Sequence, residues 1–67
     1  MQKQVYSLGE ISEVGPFVKI RFDQEPDQQM IERLKYNKFL PYMDPRVWIR
    51  KKDRIAFSVA DLIMQEA

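Results

Sequence analysis

Gly15-Pro16-Phe17-Val18-Lys19-Ile20-Arg21-Phe22 is the stretch that decides the fold. Val18, Ile20 and Phe22 alternate with Lys19 and Arg21, the two-residue period of a strand with one buried face. Gly15-Pro16 is a strong turn signal, so the strand should fold back as a hairpin on the segment before it. That segment reads as extended near Val5–Leu8 and again near Glu10–Val14.

After the strand, Asp23-Gln24-Glu25-Pro26-Asp27 stops it and starts a helix over Pro26–Tyr36. Pro26 is tolerated in a first helical turn, and Glu25 and Asp27 place negative charge at the positive end of the helix dipole. Met30, Ile31 and Leu34 form the apolar stripe, and Lys35 sits where a cation favours the C-terminus. Asn37 is the expected left-handed stop. A second short hairpin follows: Phe39-Leu40 begins a strand, Pro41 limits it, Asp44-Pro45-Arg46 turns, and Val47–Arg50 returns. Val47 and Ile49 share one face and Trp48 and Arg50 the other, so both faces hold something apolar.

Ile55, Val59, Leu62 and Ile63 fall at helical spacing in the last segment, and Asp53 is a suitable N-cap. An alternative places Arg54–Phe57 in a strand and Ser58 at the cap, with Asp61 three residues on; the longer helix is preferred. The fold class is therefore α+β, a single small domain over 1–67 with two hairpins and two helices in the order β-β-α-β-β-α, the helices packed on one sheet face.

A 67-residue chain buries about 60% of its unfolded surface, so stability is expected to be marginal. Val5, Ile11, Val14, Phe17, Val18, Ile20, Phe22, Met30, Ile31, Leu34, Phe39, Trp48, Ile55, Val59, Leu62 and Ile63 are the candidate core. A homodimer would extend so small a core. The lack of cysteine suits a reducing, cytoplasmic compartment. No apolar run approaches a membrane span, and no signal-peptide pattern opens the chain.

The chain contains no His, Cys or Thr, which removes triad catalysis and His- or Cys-built zinc sites. Gly9 and Gly15 are the only glycines, so no phosphate-binding glycine loop exists. Asp23, Glu25 and Asp27 have the spacing of a calcium loop, but Gln28 and Leu34 occupy its sixth and twelfth positions, and the pattern fails. The expectation is a non-enzyme without cofactor or metal.

Charge is polarised. From Arg33 to Arg54, eight Lys and Arg face two Asp, a balance of +6, and the remainder has three bases against eight acids, −5. The same stretch carries Tyr36, Phe39, Tyr42 and Trp48. Basic side chains neutralise phosphates and aromatic faces stack on bases. Phe39 and Trp48 fit the core better than a stacking platform. Lys35 is explained by the helix end. What remains is a basic corner, Arg46, Arg50, Lys51, Lys52 and Arg54, expected to contact phosphates, with Tyr36 or Tyr42 stacking. Such a corner is also common on proteins that bind nothing anionic.

Residues 18–60 resemble a small module of phage- and plasmid-encoded proteins, often fused to DNA-processing domains. The resemblance rests on Ile20, Phe22, Asp23, Pro26, Ile31, Leu34, Lys35, Phe39, Trp48, Arg50, Ala56 and Ala60. More distantly, the stretch is similar to the HARP domain of annealing helicases, which contacts branched or single-stranded DNA. Lys38 stands where that module has glycine, and Pro41 where it has its first tryptophan. The resemblance implies that Phe39 and Trp48 are structural, that the basic residues are the variable, functional part, and that the partner is nucleic acid. The alternative is a small phage-type protein that binds and inhibits or redirects a host protein, through Leu40–Met43 with Met64.

Overall fold

The computed structural model describes residues 3–65. Its elements are β1 (Lys3–Val5), β2 (Gly9–Val14), β3 (Phe17–Phe22), α1 (Gln28–Tyr36), β4 (Leu40–Tyr42), β5 (Asp44–Lys51) and α2 (Ala56–Gln65). The strands form one antiparallel sheet in the order β1-β2-β3-β5-β4, one strand more than two hairpins provide. β3 lies at its centre. Gly15, at φ +57, and Pro16 close the β2–β3 hairpin, with Val14 opposite Phe17. A glycine at positive φ followed by a residue fixed at negative φ suits the tight turn between twisted strands.

Val18, Ile20 and Phe22 point to the helices, as their alternation predicts. Ile11 lies opposite Ile20 on β2, and Trp48 opposite Ile20 on β5. With Leu34, Phe39, Ala56, Ala60, Ile63 and Met64 these residues form the buried core. Trp48 donates its indole N–H to the Pro45 carbonyl at 3.0 Å, so its one polar atom is satisfied.

Gly9 shows why a strand position lacks a side chain. A Cβ there would stand 2.0 Å from the Arg21 carbonyl oxygen of the neighbouring strand. Only glycine lets β2 and β3 approach this closely.

Several expected boundaries shift for local reasons. The first extended segment ends at Val5, and Tyr6 and Gly9 exchange backbone hydrogen bonds across the turn that follows. α1 starts at Gln28, because the Asp27 side chain accepts the Met30 N–H at 2.9 Å and is the N-cap; Pro26 stands outside the helix. The left-handed residue after α1 is Lys38, at φ 69, and Asn37 keeps a negative φ. Lys38 N–H bonds the Lys35 carbonyl and Phe39 N–H the Leu34 carbonyl, the paired closure that requires a left-handed residue just past the cap. The second hairpin turns at Met43, at φ 66, while Asp44, Pro45 and Arg46 belong to β5. Asp44 does accept the Arg46 N–H at 2.8 Å, a local bond of the kind that makes turns, but the chain stays extended.

Asp53 caps the last helix as expected, accepting the Ile55 and Ala56 N–H groups at 3.1 and 2.9 Å. Its buried face differs. Ala56, Ala60, Ile63 and Met64 are buried, and Ile55 and Leu62 are exposed. Both sets have helical spacing, and the two alanines allow the helix to approach the sheet. Residues 66 and 67, at the end of the expected helix, lie outside the described residues. Val5, Val14 and Phe17, expected in the core, are exposed.

Candidate nucleic-acid interface

β5 takes the expected basic corner apart. Arg50 is the clearest correction: it shares the helix-facing side with Trp48 and is only 8% exposed. Its Nη1 donates to the Asn37 carbonyl at 3.0 Å and its Nη2 to Asp53 Oδ2 at 3.1 Å. This arginine joins the end of α1 to the start of α2 and is withdrawn from phosphate contact. Arg46, on the same side of β5, pairs with Asp44 at 3.3 Å. Lys51 lies at the other end of the strand, roughly 17 Å away at 3.3 Å per residue. Lys52 sits 3.8 Å from Glu13, and Arg54 is exposed in the turn before α2. Tyr36 is 87% exposed, but it ends α1 in the helix layer. Tyr42 is 51% exposed at the second hairpin, on the opposite layer. The seven residues do not converge. Met64, paired with Leu40–Met43 in the protein-binding alternative, is buried.

The sheet face turned away from the helices brings other residues together. Phe17, Lys19 and Arg21 alternate with the buried residues of β3, so they occupy this face. Register places Ser12 and Ile49 beside Lys19, Glu10 and Val47 beside Arg21, and Val14 and Lys51 beside Phe17. Lys3 and Val5 extend the face over β1, and Leu40 extends it over β4. No helix covers it. Among the described residues its charged side chains are Lys3, Lys19, Arg21 and Lys51 against Glu10, four to one, a balance of +3 in a chain whose net charge is +1.

Glu10 lies between Lys3 at 3.5 Å and Arg21 at 3.3 Å. The hydrogen bond from Arg21 is the main cause that holds its carboxyl below the usual range, and Lys3 adds to it. Lys19 and Lys51 have no acidic partner among the described residues. A shallow hollow of about 340 Å³ lies at this end of the face, lined by Val14, Gly15, Pro16, Phe17, Lys19, Tyr42 and Ile49. Two aromatic rings and one ammonium therefore border the same space.

The larger hollow, about 680 Å³, lies at the other end of β3 beside Leu8, Phe22 and Met30, and Asp23, Glu25 and Asp27 line it. Those carboxylates repel phosphate. Asp27 is already used as a helix cap.

Phe17, Lys19 and Arg21 were legible as a set: they have the parity opposite to Val18, Ile20 and Phe22. Phe17, expected in the core, follows that parity and is exposed. Among the described residues, no three metal-ligating side chains cluster, and no helix is long and apolar enough to cross a membrane. No family model, curated protein or solved structure matches this chain.

Proposed function

We propose that this protein is a non-catalytic nucleic-acid-binding module that receives its anionic partner across the open face of the sheet. The carrying observation is the excess of four cations over one acid on that face, with Lys19 and Lys51 free of acidic partners among the described residues. A surface of this kind attracts a polyanion and releases its counterions on contact. The acidic hollow at the opposite end of β3 orients the encounter by repulsion. A phage or mobile-element origin and a cytoplasmic setting accord with the resemblance and the cysteine-free composition.

The test is a titration of labelled oligonucleotides at two salt concentrations with the wild-type chain and the double variant Lys19→Glu/Lys51→Glu. Binding at low salt that the double variant loses supports the reading; no binding at low salt removes it.

A protein-binding adaptor or inhibitor is the second reading. It is favoured by Met43, which is 91% exposed at the hairpin tip, beside exposed Leu40 and Tyr42. A stoichiometric host protein recovered after nuclease treatment, and lost with Met43→Asp, would support it.

A further inference from the structure

The hollow on the open face differs chemically from the surface around it. Its side chains are Val14, Pro16, Phe17, Lys19, Tyr42 and Ile49, so its walls are aliphatic and aromatic and its one charge is the Lys19 ammonium. About 340 Å³ falls within the range of small-molecule sites, roughly 300–1,000 Å³. We infer that this hollow takes one unpaired nucleobase between the Phe17 and Tyr42 rings, so that the face selects single-stranded over duplex nucleic acid and tolerates any base. This inference rests on the nucleic-acid reading above.

Three observations carry it. Phe17 and Tyr42 come from β3 and from the second hairpin, and both rings are accessible from solvent. A flat aromatic ligand is the group such rings accept, and every base has a π-face. Lys19 borders the hollow and Lys51 lies opposite Phe17 on β5, so cations stand where the phosphates flanking a seated base would run. The only side-chain hydrogen-bonding groups in the lining are the Lys19 ammonium and the Tyr42 hydroxyl. Two groups are too few to read a base edge, which requires paired donors and acceptors. A duplex keeps its bases stacked inside, and bringing one into the hollow requires unpairing and unstacking it.

The experiment titrates the full chain with a fluorescent oligonucleotide, its duplex, and oligo-dT and oligo-dA of equal length, at low and moderate salt. The variants are Phe17→Leu, Tyr42→Leu and Lys19→Gln, each checked for an unchanged thermal transition. Leucine keeps apolar volume at both positions and removes the ring, so lost affinity with a retained fold reports stacking. The expected result is single-strand binding at least about tenfold tighter than duplex binding, with similar affinity for dT and dA. Each ring-removing variant should weaken single-strand binding by about fivefold or more without changing its salt dependence. Lys19→Gln should reduce the salt dependence. Equal affinity for single strand and duplex, with both leucine variants binding like wild type, would overturn the inference and leave the phosphate reading standing. No binding of any oligonucleotide at low salt would overturn both.

Discussion

Arg50 and Asp53 meet at 3.1 Å, and each holds a second element at the same time. The arginine also bonds the Asn37 carbonyl after α1, and the aspartate also caps α2 through its other carboxylate oxygen. One ion pair thus ties β5 to both helices. Arg50→Met should keep the side-chain volume and lose both directional bonds. The expected cost is about 2 kcal/mol, less than for a fully buried pair because Asp53 is half exposed. Arg50→Lys should recover only part, since an ammonium cannot reproduce the fork. Urea denaturation measures both. A loss below about 0.5 kcal/mol for Arg50→Met would mean that the contact is not structural.

Lys38 occupies a conformation that suits glycine. At φ 69 a non-glycine residue is strained by about 1 kcal/mol. Lys38→Gly should therefore raise the transition temperature by roughly 4–8 °C, the shift 1 kcal/mol gives in a domain of this size. Calorimetry decides the sign.

Gly9→Ala should act in the opposite direction. Its Cβ would collide with the backbone of Arg21, which a rotamer change cannot relieve. A loss of about 2 kcal/mol or more is expected from strand separation and strain. Gly15→Ala meets no neighbouring atom and should cost less, through its left-handed φ alone.

Stability should fall at both extremes of pH. The carboxyls of Asp53, Glu10 and Asp44 are all held low: Asp53 first by the Ile55 N–H, Glu10 first by Arg21, Asp44 first by the Arg46 N–H. A carboxyl held lower in the fold than in the unfolded chain stabilises the fold above its unfolded pKa. That contribution fades as pH falls, here below about pH 4. The alkaline limb belongs to Tyr6. Burial, and then its hydrogen bond to Asp61 on α2, push the phenol from 10.0 up to about 12. The fold favours the neutral phenol, so this contribution is complete below pH 10 and is lost as pH rises toward 12. Denaturant midpoints across pH should show both limbs, and Tyr6→Phe should flatten the alkaline one.

The central strand and both helices were legible in the sequence because their signals are local. Val18-Ile20-Phe22 alternates, and Asp53 is a cap whose partner lies three residues on; Asp27, expected as charge within the first turn of α1, is instead its cap. The fifth strand was harder: Lys3–Val5 is short and wholly exposed, so no apolar pattern marks it. Met43 gave no turn signal, because its left-handed φ is imposed by pairing between Tyr42 and Asp44. The make-up of the open face was the least legible part. Consecutive charges at Arg50, Lys51 and Lys52 look like one corner. Alternation along β5 instead sends Arg50 inward, to a carbonyl thirteen residues away, and Lys51 to the open face. Lys19 and Tyr42 are far apart in the chain and border the same hollow only because the sheet order places β4 two strands from β3, across β5.

The most direct measurement is the salt dependence of oligonucleotide affinity for the wild-type chain and for Lys19→Glu/Lys51→Glu. The open-face account predicts wild-type affinity that falls steeply between 50 and 200 mM salt, on the order of 0.7 in log slope for each phosphate contacted on a single strand. It predicts that the double variant binds at least tenfold more weakly at low salt, while Arg46→Ala/Arg54→Ala stays within about threefold of wild type. Equal affinity of wild type and Lys19→Glu/Lys51→Glu, with binding lost instead in Arg46→Ala/Arg54→Ala, would contradict it.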